Sequence, residues 1–444
     1  MHPSAATANP RILIVGAGFA GLEAARILAD TAAEVIVIDR HNHHCFQPLL
    51  YQVATASLSP ADIAWPIRAI LRGQKNVSVL MAEAPGVDRL RRLLLTDSGE
   101  IPFDYLVVAT GVTHSYFGHA DWAKFAPGLK ELGDATAIRH RLLCAFERAE
   151  IAPDKEEQRR LLRFGIVGGG PTGVELAGAM AEVAYYSLRH DFRRIDPADA
   201  RIVLFEAADR ILPGYPHQYS EYADRSLREM GVHIIYGSPV TGLDADGVTA
   251  GGKHYDIPTL IWAAGVHGSA SSWLGAPADK SGRIFVDSHL EVPGFDGVYA
   301  AGDIATVPAA TPPIPGIASA AKQMGRYVGR RIARRISGKA ELGPFRYRHR
   351  GDLATIGRRR AIVLAGRLRL KGFPGWVFWS IAHIYFLIGA RNRFLIAFNW
   401  LWDYLTLQRG ARLIIGSSPL FTRSPASQPE DRSGAGIDPE HRSK

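Results

Sequence analysis

The sequence predicts an α/β fold with two Rossmann-like units and a C-terminal helical segment of a different character. Three observations lead there. A short apolar strand runs straight into a Gly-x-Gly-x-x-Gly turn twice, at Gly16-Ala17-Gly18-Phe19-Ala20-Gly21 and at Gly168-Gly169-Gly170-Pro171-Thr172-Gly173. Each turn opens a helical stretch and then a second strand that ends in a carboxylate, Asp39 in the first copy and Glu206 in the second. Near the end, Phe373 to Ala390 carries no Asp, Glu, Lys or Arg.

The elements follow in order. Arg11 to Val15 is an apolar run of strand length, and Leu22 to Ala29 has helical character. Glu34 to Asp39 is the next strand. Tyr105 to Val108 is a third, closed by the turn Ala109-Thr110-Gly111. Phe164 to Val167 begins the second copy, and a long helix is expected from Val174 to about Arg189. Asp191 to Ala200 is polar and reads as a loop, before a strand at Arg201 to Phe205. Thr259 to Trp262 closes on Ala263-Ala264-Gly265, which matches the turn in the first half. Gly297 to Ala301 leads to Gly302-Asp303. Pro308 to Pro315, with Pro312 and Pro313, is a loop. A helix follows from about Ala318.

Composition narrows the chemistry. Hydrophobic residues make up 47% of the 444, and charged residues 21%, enough apolar surface to fold and too much for a disordered chain. Cys45 and Cys144 are the two cysteines, far apart. That excludes a disulfide scaffold, a Cys-rich zinc module, an iron–sulfur cluster and a Cys-x-x-Cys redox centre, and no metal is expected. The net charge is +9, with arginines crowded between Arg326 and Arg360. A basic excess suits an anionic surface or substrate. No zinc-finger spacing or RNA-binding signature accompanies it, so nucleic acid is not an expected partner. Met1 to Pro10 is polar and lacks an apolar core, so a secretory leader is not expected and a reducing compartment is.

Each glycine of the first motif has a task. Gly16 makes the tight turn, Gly18 lets the backbone approach a pyrophosphate, and Gly21 lets helix and strand pack closely. The anion rests on free N–H groups at the helix start. Asp39, 23 residues beyond Gly16, is placed to accept hydrogen bonds from ribose hydroxyls. Gly168, Gly170 and Gly173 repeat the scheme. Glu206 lies 38 residues beyond Gly168, farther than usual, and the long helix and the Asp191–Ala200 loop explain the excess. A carboxylate there repels a 2′-phosphate and favours NADH over NADPH. Two such units imply two nucleotides side by side, a flavin and a nicotinamide. Gly302-Asp303 supports the flavin, although Gly-Asp alone is a common turn.

Together, the paired glycine motifs, the Ala-Thr-Gly turn and Gly302-Asp303 resemble the two-dinucleotide-binding flavoprotein superfamily. Within it, Phe46-Gln47-Pro48-Leu49-Leu50-Tyr51-Gln52-Val53-Ala54, Gly173-Val174-Glu175-Leu176-Ala177-Gly178 and Gln323-Met324-Gly325-Arg326-Tyr327-Val328 resemble type II NADH dehydrogenases. These are single-subunit NADH:quinone oxidoreductases that do not pump protons. The resemblance covers about residues 11 to 415. It implies that FAD binds through Gly16, Gly18, Gly21, Asp39, Arg40, Thr110, Gly111, Gly302 and Asp303, and NADH through Gly168, Gly170, Gly173, Glu206 and Gly265. Glu175 matches a family glutamate near the junction of nicotinamide, flavin and quinone; otherwise it is an N-terminal helix charge favoured by the dipole. The family's Ala-Gln-x-Ala-x-Gln quinone segment reads here Ala318-Ser319-Ala320-Ala321-Lys322-Gln323. Ser319 stands where the family has Gln, which leaves quinone contacts to Gln323 and Lys322.

The expected layout is a disordered N-terminus (1–10), an FAD-binding domain in two parts (11–125 and 281–345), an NADH-binding domain (126–280), a membrane-associating region (346–416) and a disordered tail (417–444). Phe373 to Ala390 is at the lower limit for a membrane span. Arg391 to Arg412 follows with a polar stripe at Asn392, Asn399, Asp403 and Thr406, and Phe394, Phe398, Leu401, Trp402 and Leu405 on the other side. Lying on the bilayer is favoured over spanning it or capping the core. The expected docking face is Val377, Phe378, Trp379, Ile384, Tyr385, Phe386, Phe394, Trp400 and Trp402. Arg391, Arg393, Arg409 and Arg412 would meet anionic lipid. Expected partners are thus a membrane quinone, an anionic bilayer at the cytoplasmic face of the cell membrane, and a second copy of the chain in a homodimer. Two other readings stay open: a soluble NADH-dependent flavin reductase serving a protein such as ferredoxin, and a membrane-associated redox sensor without turnover.

Overall fold

A computed structural model describes residues 9–387, 393–398, 400 and 411–414. Of the disordered N-terminus expected at 1–10, residues 1–8 lie outside the described residues, as do the tail expected at 417–444 and the polar stripe at Asn392, Asn399, Asp403 and Thr406.

The chain opens with β1 (Arg11–Val15), α1 (Phe19–Ile27), β2 (Glu34–Asp39), β3 (Val77–Met81) and β4 (Tyr105–Val108). A long helix, α2 (Leu132–Ile151), leads to the second unit: β5 (Arg163–Val167), α3 (Pro171–Glu182), β6 (Arg201–Phe205), α4 (His217–Glu229), β7 (Val232–Ile235) and β8 (Thr259–Trp262). These strands form a parallel sheet in the order β7-β6-β5-β8. The chain then returns with β9 (Val298–Ala300), which completes a first parallel sheet ordered β9-β4-β1-β2-β3. Both sheets are covered on their faces, so their strands read as continuous apolar runs such as the buried Ile12-Leu13-Ile14.

Helix α5 (Ala318–Ile336) lies along α1. Gly325 permits this, because an added Cβ there would strike the Ala20 carbonyl oxygen. A third, antiparallel sheet follows, β10 (Asp352–Gly357), β11 (Arg360–Ala365) and β12 (Leu368–Lys371), and then helix α6 (Gly372–Phe386). Gly178 of α3 meets the Ile356 carbonyl of β10 so closely that any Cβ would collide with it. The third sheet and α6 therefore share one core with the second unit and with the segment Phe46–Ala54.

Two expectations need correction. Helix α1 starts at Phe19, directly after its Gly18 N-cap, rather than at Leu22. The long helix from Val174 is α-helical only to Glu182 and continues as a π turn over Val183–Ser187. The stretch 346–416 carries the strands β10 to β12 ahead of helix α6. Helix α6 has 15 residues, and among the described residues no helix is long and apolar enough to cross a membrane.

Candidate active site

The two glycine turns are built alike, contact for contact. Gly16 has φ +101° and Gly168 φ +107°, a region an L side chain rarely enters. Their amides donate to Ile38 and Phe205, each 2.8 Å away. A Cβ on either would press into the turn after the neighbouring strand, at Ala109 or Ala263. A Cβ on Gly21 or Gly173 would overlap the carbonyl of Gly16 or Gly168. By contrast, a Cβ on Gly18 or Gly170 meets nothing within 4 Å, which leaves the backbone open on the side where a pyrophosphate would lie. Helices α1 and α3 start there with no acidic residue in the first turn, so their positive ends are free for an anion.

The carboxylates match too. Asp39 accepts from the amides of Ala17 and His41, both at 2.7 Å. Glu206 accepts from Gly169 at 2.5 Å and Ala208 at 2.8 Å. Each is fixed on its glycine loop with acceptor capacity left over. Gly111 (φ +69°) and Gly265 (φ +72°) form matched turns across from them, with Thr110 exposed beside the first. Gly302 (φ +84°) turns the chain into Asp303. That carboxyl takes no hydrogen bond from the described residues, and burial lifts it above its ordinary range against the pull of Lys130 and Arg283. A shielded carboxylate with open acceptor sites beside the first cradle fits the hydroxyl-rich chain of FAD. Arg40 does not point at this cradle; its guanidinium pairs with Glu131 at the N-cap of α2.

Glu175 sits one turn into α3, and the Thr355 amide reaches its Oε1 at 3.5 Å. Burial pushes its carboxyl up to about 8. Lys322 lies between two rings, its Nζ 5.2 Å from the centre of Phe19 and 5.4 Å from that of Phe386. Burial lowers its ammonium. This cation joins the first glycine helix to the C-terminal helix. Gln323 is turned elsewhere: its Nε2 donates to the Arg348 carbonyl and its Oε1 accepts from the Arg348 amide, each at 3.0 Å. Ser319 Oγ is buried with no hydrogen-bond partner among the described residues.

Sequence reasoning missed an aromatic stack that binds α6 to the Phe46–Ala54 segment. Trp400 stacks on Trp379 at 5.5 Å, Trp379 on His383 at 4.0 Å, and His383 meets Phe46 edge-on at 6.3 Å. Trp400 Nε1 donates to Gln52 at 3.0 Å. Trp379 is therefore buried, Trp400 half-buried and Ile384 packed on the core, which removes three residues from the expected docking face. Helix α6 is apolar on every side, so its sequence could not say which side faces in. The outward face is Phe373, Val377, Phe378, Ile381, Tyr385 and Phe386, continued by Phe394 and Phe398. Trp402, Arg391 and Arg409 lie outside the described residues. Arg412 is committed to Asp191 rather than free for lipid. His44, also missed, donates from Nδ1 to Ala17 at 2.9 Å, packs edge-on to Phe19, and is pushed by burial down to about 4. Both cysteines are free, and burial drives the Cys45 thiol to about 12.

Residues 10–325 match the family model of the pyridine nucleotide-disulphide oxidoreductases. The type II NADH:quinone oxidoreductase Ndh of Mycobacterium tuberculosis is 37% identical over 95% of this chain and 94% of its own. NdhA of the same organism is 38% identical over 95% and 93%. Among solved structures, NDH2 from Plasmodium falciparum in complex with NADH superposes with a TM-score of 0.83, covering 92% of this chain and 100% of that one at 20% identity. The chain belongs to the pyridine nucleotide-disulphide oxidoreductase family and, within it, to the type II NADH:quinone oxidoreductases.

Proposed function

We propose that the chain is an FAD-dependent NADH:quinone oxidoreductase that passes two electrons from NADH to a membrane quinone without pumping protons. One observation carries the reading: two matched nucleotide cradles, with an outward-facing apolar helix tied to the first through Lys322 and the His383–Phe46–Phe19 ring contacts. A soluble reductase serving a protein acceptor would leave the exposed face of α6 without a task.

In this reading the first cradle, with Asp39, Thr110, Gly111, Gly302 and Asp303, holds FAD, and the second, with Glu206 and Gly265, holds NADH. When bound, FAD supplies hydride acceptance from nicotinamide and two-electron delivery to quinone. The protein supplies position and protons. The open backbone at Gly18 and Gly170 admits the pyrophosphates, and Asp39 and Glu206 anchor the riboses. Glu175, kept protonated by burial, holds a proton ready for a quinone oxygen. Lys322 fixes α6 beside the flavin cradle. The apolar face of α6 rests on the bilayer as a peripheral contact, where a lipid-soluble acceptor arrives. Free thiols favour the cytoplasmic face. The test is anaerobic. NADH should bleach the yellow protein, and a quinone should restore the colour. A chromophore that NADH leaves untouched would refute the reading.

A further inference from the structure

One difference separates the closing turns of the two cradles. Gly111 follows β4 and Gly265 follows β8 in equivalent turns. A Cβ on Gly111 would meet nothing within 4 Å, whereas one on Gly265 would lie 2.6 Å from Cζ of Phe117. Phe117 comes from the first unit. The chain leaving Gly111 pairs Thr113 with His267 and His114 with Val266, antiparallel. It then folds over the second cradle. The Ser115 amide donates to the Gly265 carbonyl at 3.4 Å, and the Ser115 carbonyl accepts from Trp262 Nε1 at 2.8 Å. These bonds fasten the base of the loop to the turn after β8. Beyond them, Phe117 has φ +51° and Gly118 φ +96°. A bulky side chain in that region is strained, and such strain concentrates where a ligand is held. Core packing does not account for it, because Phe117 is 66% exposed. Its ring reaches Gly265 tip-first and tilts toward Trp262, with 6.3 Å between ring centres.

We infer that Phe117 is a binding residue for the nicotinamide half of NADH, an aromatic cover that the flavin unit lays over the mouth of the second cradle. This rests on the reading above and adds a contact to it. Sheet order supplies the direction. Glu206 follows β6 and Gly265 follows β8, on opposite sides of β5, whose end carries the glycine turn. A dinucleotide anchored by its adenosine ribose at Glu206, with its pyrophosphate over Gly170, sends its other half toward β8. That half ends in a flat ring, and an exposed aromatic side chain covers such a ring by apolar burial and stacking. The bare turn at Gly111 suits a flavin that stays bound, and the covered turn at Gly265 suits a nucleotide that exchanges at every turnover. Phe117 thus grips the part of NADH that a shorter adenine nucleotide lacks.

The test titrates the purified, flavin-loaded protein by calorimetry with NAD⁺ and, separately, with ADP. NAD⁺ leaves the oxidised flavin unchanged, so binding is read without turnover. ADP ends at the pyrophosphate, short of Phe117. Phe117→Ala should raise the Kd for NAD⁺ roughly five- to thirty-fold, the value of covering the exposed part of the ring, and leave that for ADP within about two-fold. Phe117→Tyr keeps the ring and should bind NAD⁺ as the wild type does. Glu206→Ala should weaken both ligands, because both carry the adenosine ribose. If Phe117→Ala does not fold, Phe117→Gly, which suits a positive φ, takes its place. Wild-type NAD⁺ affinity without the ring, equal losses for NAD⁺ and ADP, or loss of affinity in Phe117→Tyr would overturn the role of Phe117. A wild type that binds neither ligand, or Glu206→Ala that binds both as the wild type does, would instead overturn the assignment of NADH to the second cradle.

Discussion

Replacing Ile381 and Phe394 together by serine should release the protein from lipid while leaving its chemistry intact. These two side chains are 63% and 78% exposed on the outward apolar face. Fully burying such a side chain is worth about 1.5–3 kcal/mol, so scaled by exposure each contributes about 1–2 kcal/mol on entering a bilayer. Together they account for about 2–4 kcal/mol. At about 1.4 kcal/mol per decade, that is a fall of about thirty-fold to about a thousand-fold in partition coefficient. Neither residue touches the cradles, so the bleaching rate with NADH should not change. The assay is co-sedimentation with liposomes that contain anionic lipid, run beside NADH oxidation with a short-chain, water-soluble quinone. A variant that sediments like the wild type would refute the claim that this face meets the membrane.

Other outcomes follow from the same geometry. Glu206→Ala removes a charged acceptor worth about 1.5–3 kcal/mol; the KM for NADH should rise roughly ten- to hundred-fold with flavin retained, whereas Asp39→Ala should shed flavin instead, as absorbance after gel filtration will show. Glu175 has its carboxyl raised from 4.5 to about 8, so the folded protein holds that proton more tightly than the unfolded chain does. Its contribution to stability is full below about pH 4.5 and is lost as pH rises through 8; a Glu175→Gln variant should show a flatter melting-temperature profile over that window, and wild-type recolouring by quinone should slow above pH 8. His44 and His383 run the other way. Burial lowers both from 6.5 to about 4, so their contribution is present above pH 6.5 and is lost as pH falls through 4; His383→Leu should reduce the acid-side loss seen in thermal melts.

Local patterns made the cradles legible. Gly16, Gly18, Gly21 and Asp39 sit within one strand–turn–helix–strand passage, and the strands Arg11–Val15, Glu34–Asp39, Arg201–Phe205 and Thr259–Trp262 fall where the apolar runs place them. Both glycine motifs dictate backbone geometry directly, so sequence and structure are tightly linked there. What the sequence could not show depends on distant pairs. Gln323 and Arg348 are 25 positions apart, and Trp400 and Gln52 are 348 apart. Neither pairing leaves a periodic trace. Lys322 reads as a quinone contact from its motif neighbours, and no motif shows that its ammonium also lies between Phe19 and a ring from the C-terminal helix. The inward side of α6 was hidden because hydrophobicity alone cannot distinguish a lipid-facing ring from a core one.

The return of β9 to the first sheet governs how the molecule is made. Its partner β4 ends at Val108, whereas β9 begins at Val298. A nascent chain therefore has the second sheet, closed between Arg163 and Trp262, fully synthesised while the first still lacks an edge. The half that begins synthesis first is finished last. A fragment ending before Val298 would expose one side of β4 and invite pairing with another chain, so release of incomplete chains carries an aggregation hazard that the full-length product escapes.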